Sequence, residues 1–233
     1  MVIAANQPYF CPYPGFFYKA FLADVFILLD EVQFPRGTTW LSRNRFKNDQ
    51  GELWLTIPVW KKGLGLQAIN QVKICQAGRW PRKHLASLTT AYGKAPYLAK
   101  HAPFLEKMFA SGFTNLVDLN VAIIRYLMGC FQLDTKLVRQ SELGVTAGGS
   151  QLLLELCRVT KAKTFLIQQA AHKYLDTDLF SKAGIELRSF SYEAPVYPQL
   201  WGDFLANLSA FDLVFTCGPK ARDILLQSQK MVW

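Results

Sequence analysis

Between an apolar run, Val2-Ile3-Ala4-Ala5, and a helical pattern from Phe16 to Asp24 stands a segment, Asn6 to Gly15, that holds Pro8, Pro12, Pro14 and Gly15. Proline fixes φ and lacks an N–H, so this segment cannot be helical. The chain must begin as strand, stiff loop, helix. A second apolar run, Val25 to Leu29, follows and ends on Asp30-Glu31. Strand, short helix and strand within about 30 residues make a βαβ unit, whose strands run parallel.

The remaining pattern extends this plan. Residues 35–51 are polar and contain glycine, and read as a loop. Glu52 to Val59 alternates as a strand, and Ile69 to Cys75 alternates similarly, so the two are expected to pair as a hairpin across Gly63 and Gly65. Trp80 to Tyr92, Pro96 to Ala110 and Leu116 to Phe131 space their apolar residues by three and four, as helices do. A strand is expected at 136–139. After Gly148-Gly149-Ser150 comes a helix from Gln151 to Lys161, with Ser150 as its N-cap. Strand 164–167, helix 179–183 and strand 185–190 repeat the parallel alternation, and Leu213 to Phe215 precedes a last helix from Pro219 to Gln227. With no internal repeat and no linker, the expectation is one α/β domain over 1–233. It has a Rossmann-like layered sheet, largely parallel, and a helical insert near 80–132.

The charge is unevenly placed. Of the net +9, residues 1–100 carry 13 basic against 5 acidic side chains, and residues 101–233 carry 13 against 12. The excess lies in Arg36, Arg43, Arg45 and Lys47, and in Lys61, Lys62, Lys73, Arg79, Arg82 and Lys83. Such a face attracts anions or merely keeps the surface solvated. Nucleic acid is disfavoured, because the basic residues form no helical stripe and match no nucleic-acid-binding signature. No apolar run nears the roughly 20 residues needed to span a bilayer. Five scattered cysteines without a C-x-x-C pair fit a reducing, cytoplasmic setting, and three separated histidines give little material for a metal site.

Several residues are candidates for chemistry. The loop Gln7-Pro8-Tyr9-Phe10-Cys11-Pro12-Tyr13-Pro14-Gly15 stands where α/β proteins bind ligands, outside strand C-termini. Its Tyr9 and Tyr13 either stack on a base or sugar or plug the top of the sheet. Asp30, at a strand end, is a candidate general base that could equally cap a turn. Arg43-Asn44-Arg45 and Lys47, near Trp40, suit phosphate or carboxylate. His84, beside Trp80 and Lys83, is either an acid/base or a plain surface residue, while His101 and His172 read as surface histidines.

The chain resembles the WbqC-like protein family along nearly its whole length. The resemblance is carried by Gln7-Pro8-Tyr9, Pro12-Tyr13, Gly15-Phe16, Asp24, Leu29-Asp30, Val32-Gln33-Phe34, Arg43-Asn44-Arg45, Lys47, Gly51, Trp54-Leu55-Thr56, Pro58-Val59, Trp80, Lys83-His84, Tyr92 and Pro96-Tyr97. It continues through Tyr174-Leu175, Phe180, Gly184-Ile185, Tyr192, Tyr197-Pro198-Gln199, Leu208-Ser209, Asp212-Leu213 and Gly218. Gln168-Gln169 departs from it, standing where a small Ser/Gly-type pair is expected. A more distant similarity is to nucleotidylyltransferases and pantothenate-synthetase-like ligases, whose H-x-G-H histidines are replaced here by the aromatics of Tyr13-Pro14-Gly15-Phe16.

The resemblance implies an accessory enzyme of bacterial surface-polysaccharide assembly, including O-antigen. Its expected activity is transfer of a group, acyl or aminoacyl, to or from a nucleotide-activated amino sugar. Asp30 and His84 are the expected catalytic pair. Gln7, Tyr9, Tyr13, Gly15, Gln33, Arg43, Asn44, Arg45, Lys47, Lys83, Tyr197 and Gln199 are expected to bind the substrate. No cofactor or metal is implied, and the expected partner is a small anionic substrate, the nucleotide-sugar itself. The alternative is a non-catalytic protein of the same pathway that binds a sugar nucleotide or a partner.

Overall fold

The computed structural model describes residues 1–227. The chain opens with strand β1 (Val2–Asn6), helix α1 (Pro14–Phe21) and strand β2 (Val25–Leu28). Pro14 occupies the first turn of α1, where its missing N–H costs nothing. The helix thus begins two residues earlier than the apolar pattern indicates. An antiparallel hairpin follows, β3 (Arg43–Asn48) and β4 (Gly51–Thr56), and then helices α2 (Trp80–Tyr92), α3 (Leu98–Ala110) and α4 (Leu116–Cys130). Strand β5 (Lys136–Arg139), helix α5 (Gly149–Thr160), strand β6 (Thr164–Gln168), helix α6 (Thr177–Lys182) and strand β7 (Glu186–Phe190) lead to α7 (Ala210–Cys217) and α8 (Ala221–Leu226).

Five strands form one parallel sheet in the order β5-β2-β1-β6-β7, as a Rossmann-like layered fold requires. Its alternate residues enter two cores. Ala4, Phe26, Leu28 and Leu166 face α1, α4 and α7, while Ile3, Ala5, Ile27, Phe165 and Ile167 face α5 and α6. On the first face Phe17 and Phe26 are wholly buried. Side chains of that size contribute about 1.5–3 kcal/mol each when removed from water. Among the described residues no helix is long and apolar enough to cross a membrane.

Several expectations are corrected. Residues 43–48 are a strand rather than loop, because Arg45 lies opposite Trp54 and Lys47 opposite Glu52, while Asn44 and Phe46 turn inward. Consequently β4 pairs with β3, and the expected partner at 69–75 meets the 52–59 segment only at the bridge Val59–Ile74. Leu213 to Phe215, expected only to precede the last helix, lies inside a helix of its own, α7. Gly148, not Ser150, is the N-cap of α5, and the Ser150 hydroxyl accepts from the Asp176 N–H instead. His101 is buried, with Nδ1 2.7 Å from the Tyr126 hydroxyl.

Candidate functional site

The sheet divides at its centre. β1 and β6 pair from Val2–Thr164 to Ala4–Leu166 and then part, whereas β1 stays on β2 as far as Asn6–Leu28 and β6 stays on β7 as far as Gln168–Phe190. The helix following β1 covers one face and the helix preceding β6 covers the other. This is the switch point of a doubly wound sheet, where a crevice opens outside the strand C-termini. A cavity of about 400 Å³ occupies it, within the range of small-molecule pockets. Tyr9, Tyr13, Gln168 and Tyr192 wall it from the strand ends, and Trp40, Asn44, Arg45 and Asn207 close it from the hairpin side.

The proline-stiffened loop supplies two of these walls, and two asparagines hold it. Asn44 Nδ2 donates to the carbonyls of Phe10 (3.0 Å) and Cys11 (2.8 Å), and Asn120 Nδ2 donates to those of Pro8 (2.7 Å) and Leu41 (2.8 Å). Cys11 takes a left-handed φ of 44° where the chain bends. Gly15 lies under the wall: a Cβ on it would stand 2.5 Å from the Tyr13 ring and 2.7 Å from that of Tyr192. These two rings meet edge-on at 5.9 Å. Burial raises the phenol pKa of Tyr9, Tyr13 and Tyr192 above its ordinary range, so all three stay protonated near neutrality.

Lys19 is the residue the sequence reading missed. It projects from α1, and its Nζ donates to the Ala5 carbonyl at 2.7 Å. Ala5 is the first β1 residue beyond the last β1–β6 pair, so this ammonium sits at the root of the fork. Burial lowers its pKa from 10.5 to about 8. Only one of the three ammonium hydrogens is used by Ala5, leaving two for other acceptors.

Of the expected binding residues, Tyr9, Tyr13, Asn44 and Arg45 line this cavity. Gln7 is half-buried, and its carbonyl accepts from the Asn6 side chain and the Tyr9 N–H. Arg45 bonds Glu52 and the Ala206 carbonyl, while Arg43 stacks on Trp54 at 3.7 Å. Buried Lys47 and Tyr197 and half-buried Gln199 belong to a separate cluster instead. Lys47 Nζ donates to Gln199 Oε1 and to the Asp203 carbonyl, and its backbone N–H donates to the Tyr92 hydroxyl, which donates in turn to Asp212. Burial raises the Asp212 carboxyl pKa, against the opposing effects of Tyr92, Tyr197 and Lys47.

Neither expected catalytic residue lines the cavity. Asp30 is 0% exposed, and its carboxylate accepts from the Ser141 N–H (3.0 Å) and hydroxyl (2.7 Å). That is the turn-capping alternative, fastening the end of β5. His84 packs against Trp80 and Phe109, and burial lowers its pKa to about 4, so it is neutral at pH 7. Lys83 is exposed on α2, and Gln33 lines a separate cavity. Among the described residues no group of three His, Cys, Asp or Glu side chains is placed to hold a metal ion.

The model of the WbqC-like protein family matches residues 7–224. A protein of Mycobacterium tuberculosis (strain ATCC 25618 / H37Rv), "Uncharacterized protein Rv1507c", is 30% identical over 225 residues, covering 96% of each chain. No solved structure matches.

Proposed function

The chain belongs to the WbqC-like protein family, and from that membership we propose that it works in the assembly of a bacterial surface polysaccharide such as O-antigen, transferring a group to or from a nucleotide-activated amino sugar in the switch-point cleft. The observation that carries this reading is Lys19 at the root of a fork whose mouth is walled by neutral tyrosines. The aromatic faces suit a base or sugar ring, and stacking of this kind is worth about 1–3 kcal/mol per base. The Arg45 guanidinium in the cleft wall suits the diphosphate. Gln168 and Asn207 offer amide donors and acceptors to sugar hydroxyls.

In the transfer step the acceptor amine or hydroxyl bonds to the activated carbon of the donor. The leaving group departs with the old bonding pair, and neutral Lys19 Nζ takes the acceptor's proton. A pKa near 8 keeps a fraction of this amine neutral at pH 7. Asp30 is not given this part, because its two oxygens are committed to Ser141.

The test is a melting-temperature screen with uridine and thymidine diphospho-sugars. At about a hundred times Kd a true ligand adds about 2.7 kcal/mol, and about 5–10 °C in Tm is expected. No shift across the panel refutes the reading. One observation favours the second reading, a sugar-nucleotide-binding protein without chemistry: among the described residues that line the cleft there is no carboxylate, imidazole or thiol. A tight ligand with no product over prolonged incubation, and Lys19→Met retaining function in cells, would decide for it.

A further inference from the structure

A second cavity, of about 520 Å³, lies at the same edge of the sheet, beyond the ends of β2 and β5. Its donor side is the start of α5. Gly148 caps this 12-residue helix with extended backbone (φ −124°, ψ 163°) and no side-chain hydrogen bond, and both Gly148 and Gly149 line the cavity. The first N–H groups of a helix have no intrahelical acceptor, and with the helix dipole they favour an anion.

A separate observation lies in the cavity wall. Gln140 is only 2% exposed. Its Nε2 donates to the Val145 carbonyl at 2.9 Å, which fixes the orientation of the amide, and its Oε1 has no hydrogen-bond partner among the described residues. An acceptor left unpaired away from water is destabilising, so a ligand that donates to it gains by binding. Glu31 lines the same cavity and adds a second acceptor, a negative one. The turn carrying Gln140 is fastened by the Asp30 carboxylate through the N–H and hydroxyl of Ser141.

We infer that this cavity is a second ligand site, for a small molecule carrying an anionic group for the α5 N–H groups and an amino group for Gln140 Oε1 and Glu31. The inference stands independently of the reading of the first cleft. Phosphate and carboxylate share the anionic chemistry, and the probes separate them.

The experiment is an amide-resolved NMR titration of the full chain with O-phosphoethanolamine, ethyl phosphate and β-alanine. O-phosphoethanolamine or β-alanine, whichever carries the right anion, should shift Gly148, Gly149 and the Gln140 side-chain amide. Ethyl phosphate, lacking the amine, should bind at least about tenfold more weakly than O-phosphoethanolamine if the anion is phosphate. Gly148→Asp has open space for its Cβ and a favoured N-cap side chain, so it should keep or raise Tm while its carboxylate takes the N–H groups and abolishes the shifts. Gln140→Met should narrow the preference for the amine-bearing probe. The proposal is overturned if none of the probes moves these amides by about 10 mM, a concentration well into the weak-binding range. It is equally overturned if the shifts survive Gly148→Asp, or if ethyl phosphate binds as well as O-phosphoethanolamine and β-alanine does not bind.

Discussion

Asn44 on β3 and Asn120 on α4, far apart in the chain, direct their side-chain amides at carbonyls of the same short loop. Asn120 takes Pro8, and Asn44 takes Phe10 and Cys11. The loop that carries Tyr9 and Tyr13 is therefore held at both ends before any ligand arrives. A wall fixed in advance spares the ligand the entropy of ordering it.

This gives a first prediction. Asn120 is wholly buried, so Asn120→Asp replaces a two-proton donor with a carboxylate facing carbonyl oxygens. A loss of about 3 kcal/mol or more is expected in urea unfolding. Asn120→Leu should lose about 1–3 kcal/mol and, under conditions where it stays folded, weaken ligand binding to the first cleft in calorimetry.

Lys19 sets a pH dependence of stability. Its folded pKa of about 8 lies below the ordinary 10.5, so between those values the unfolded chain holds a proton that the folded chain has released. Stability should rise with pH across that window. Below about pH 8 both states are charged, and the folded state bears the desolvation cost. Lys19→Met should then be more stable than the parent at pH 6.5, by about 1–3 kcal/mol, with the difference shrinking toward pH 10. The same variant should lose transfer activity about a hundredfold or more in an assay with the ligand found by screening.

His84 works on the acid side. Its pKa of about 4 in the folded chain, against 6.5 ordinarily, means that the unfolded state gains a proton first as pH falls. The contribution is complete above about 6.5 and is lost on acidification toward 4. His84→Phe should flatten the stability profile between pH 6.5 and 4 by about 1–3 kcal/mol, while leaving ligand affinity in the first cleft unchanged.

Tyr92 joins a backbone donor to a buried carboxylate, accepting from Lys47 N–H and donating to Asp212 Oδ2. Tyr92→Phe strands both groups. A loss of about 1–3 kcal/mol is expected, read as a lower midpoint at unchanged slope in denaturant unfolding. Unchanged stability would remove Lys47 and Asp212 from the structural role assigned to them here.

Much of the parallel sheet was legible because its strands are short apolar runs alternating with helical periods, as in Val25–Leu28 and Thr164–Gln168. Strand β3 was not. Arg43-Asn44-Arg45-Phe46-Lys47 reads as solvated polar chain until its partner strand supplies Trp54 and Glu52 for the arginines. Tyr9, Tyr13, Asn44 and Arg45 were legible as a group from the stiff loop and the basic run. Lys47, Tyr197 and Gln199 carry the same kinds of functional group, and only tertiary packing turned them into a brace. Lys19 did leave a trace: it is a lone cation within Phe16-Phe17-Tyr18-Lys19-Ala20, with no acidic residue three or four positions away on either side. Such a lysine has no local partner on its own helix, and here it turns to the sheet.

The Arg43–Trp54–Trp40 arrangement has an optical consequence. The two indoles stand 5.7 Å apart with planes 30° from parallel, and Trp40 also belongs to the cleft wall. Strong transitions in rings this close couple, so the pair should give a split far-ultraviolet circular-dichroism band. A molecule entering the cleft would alter that band without any label.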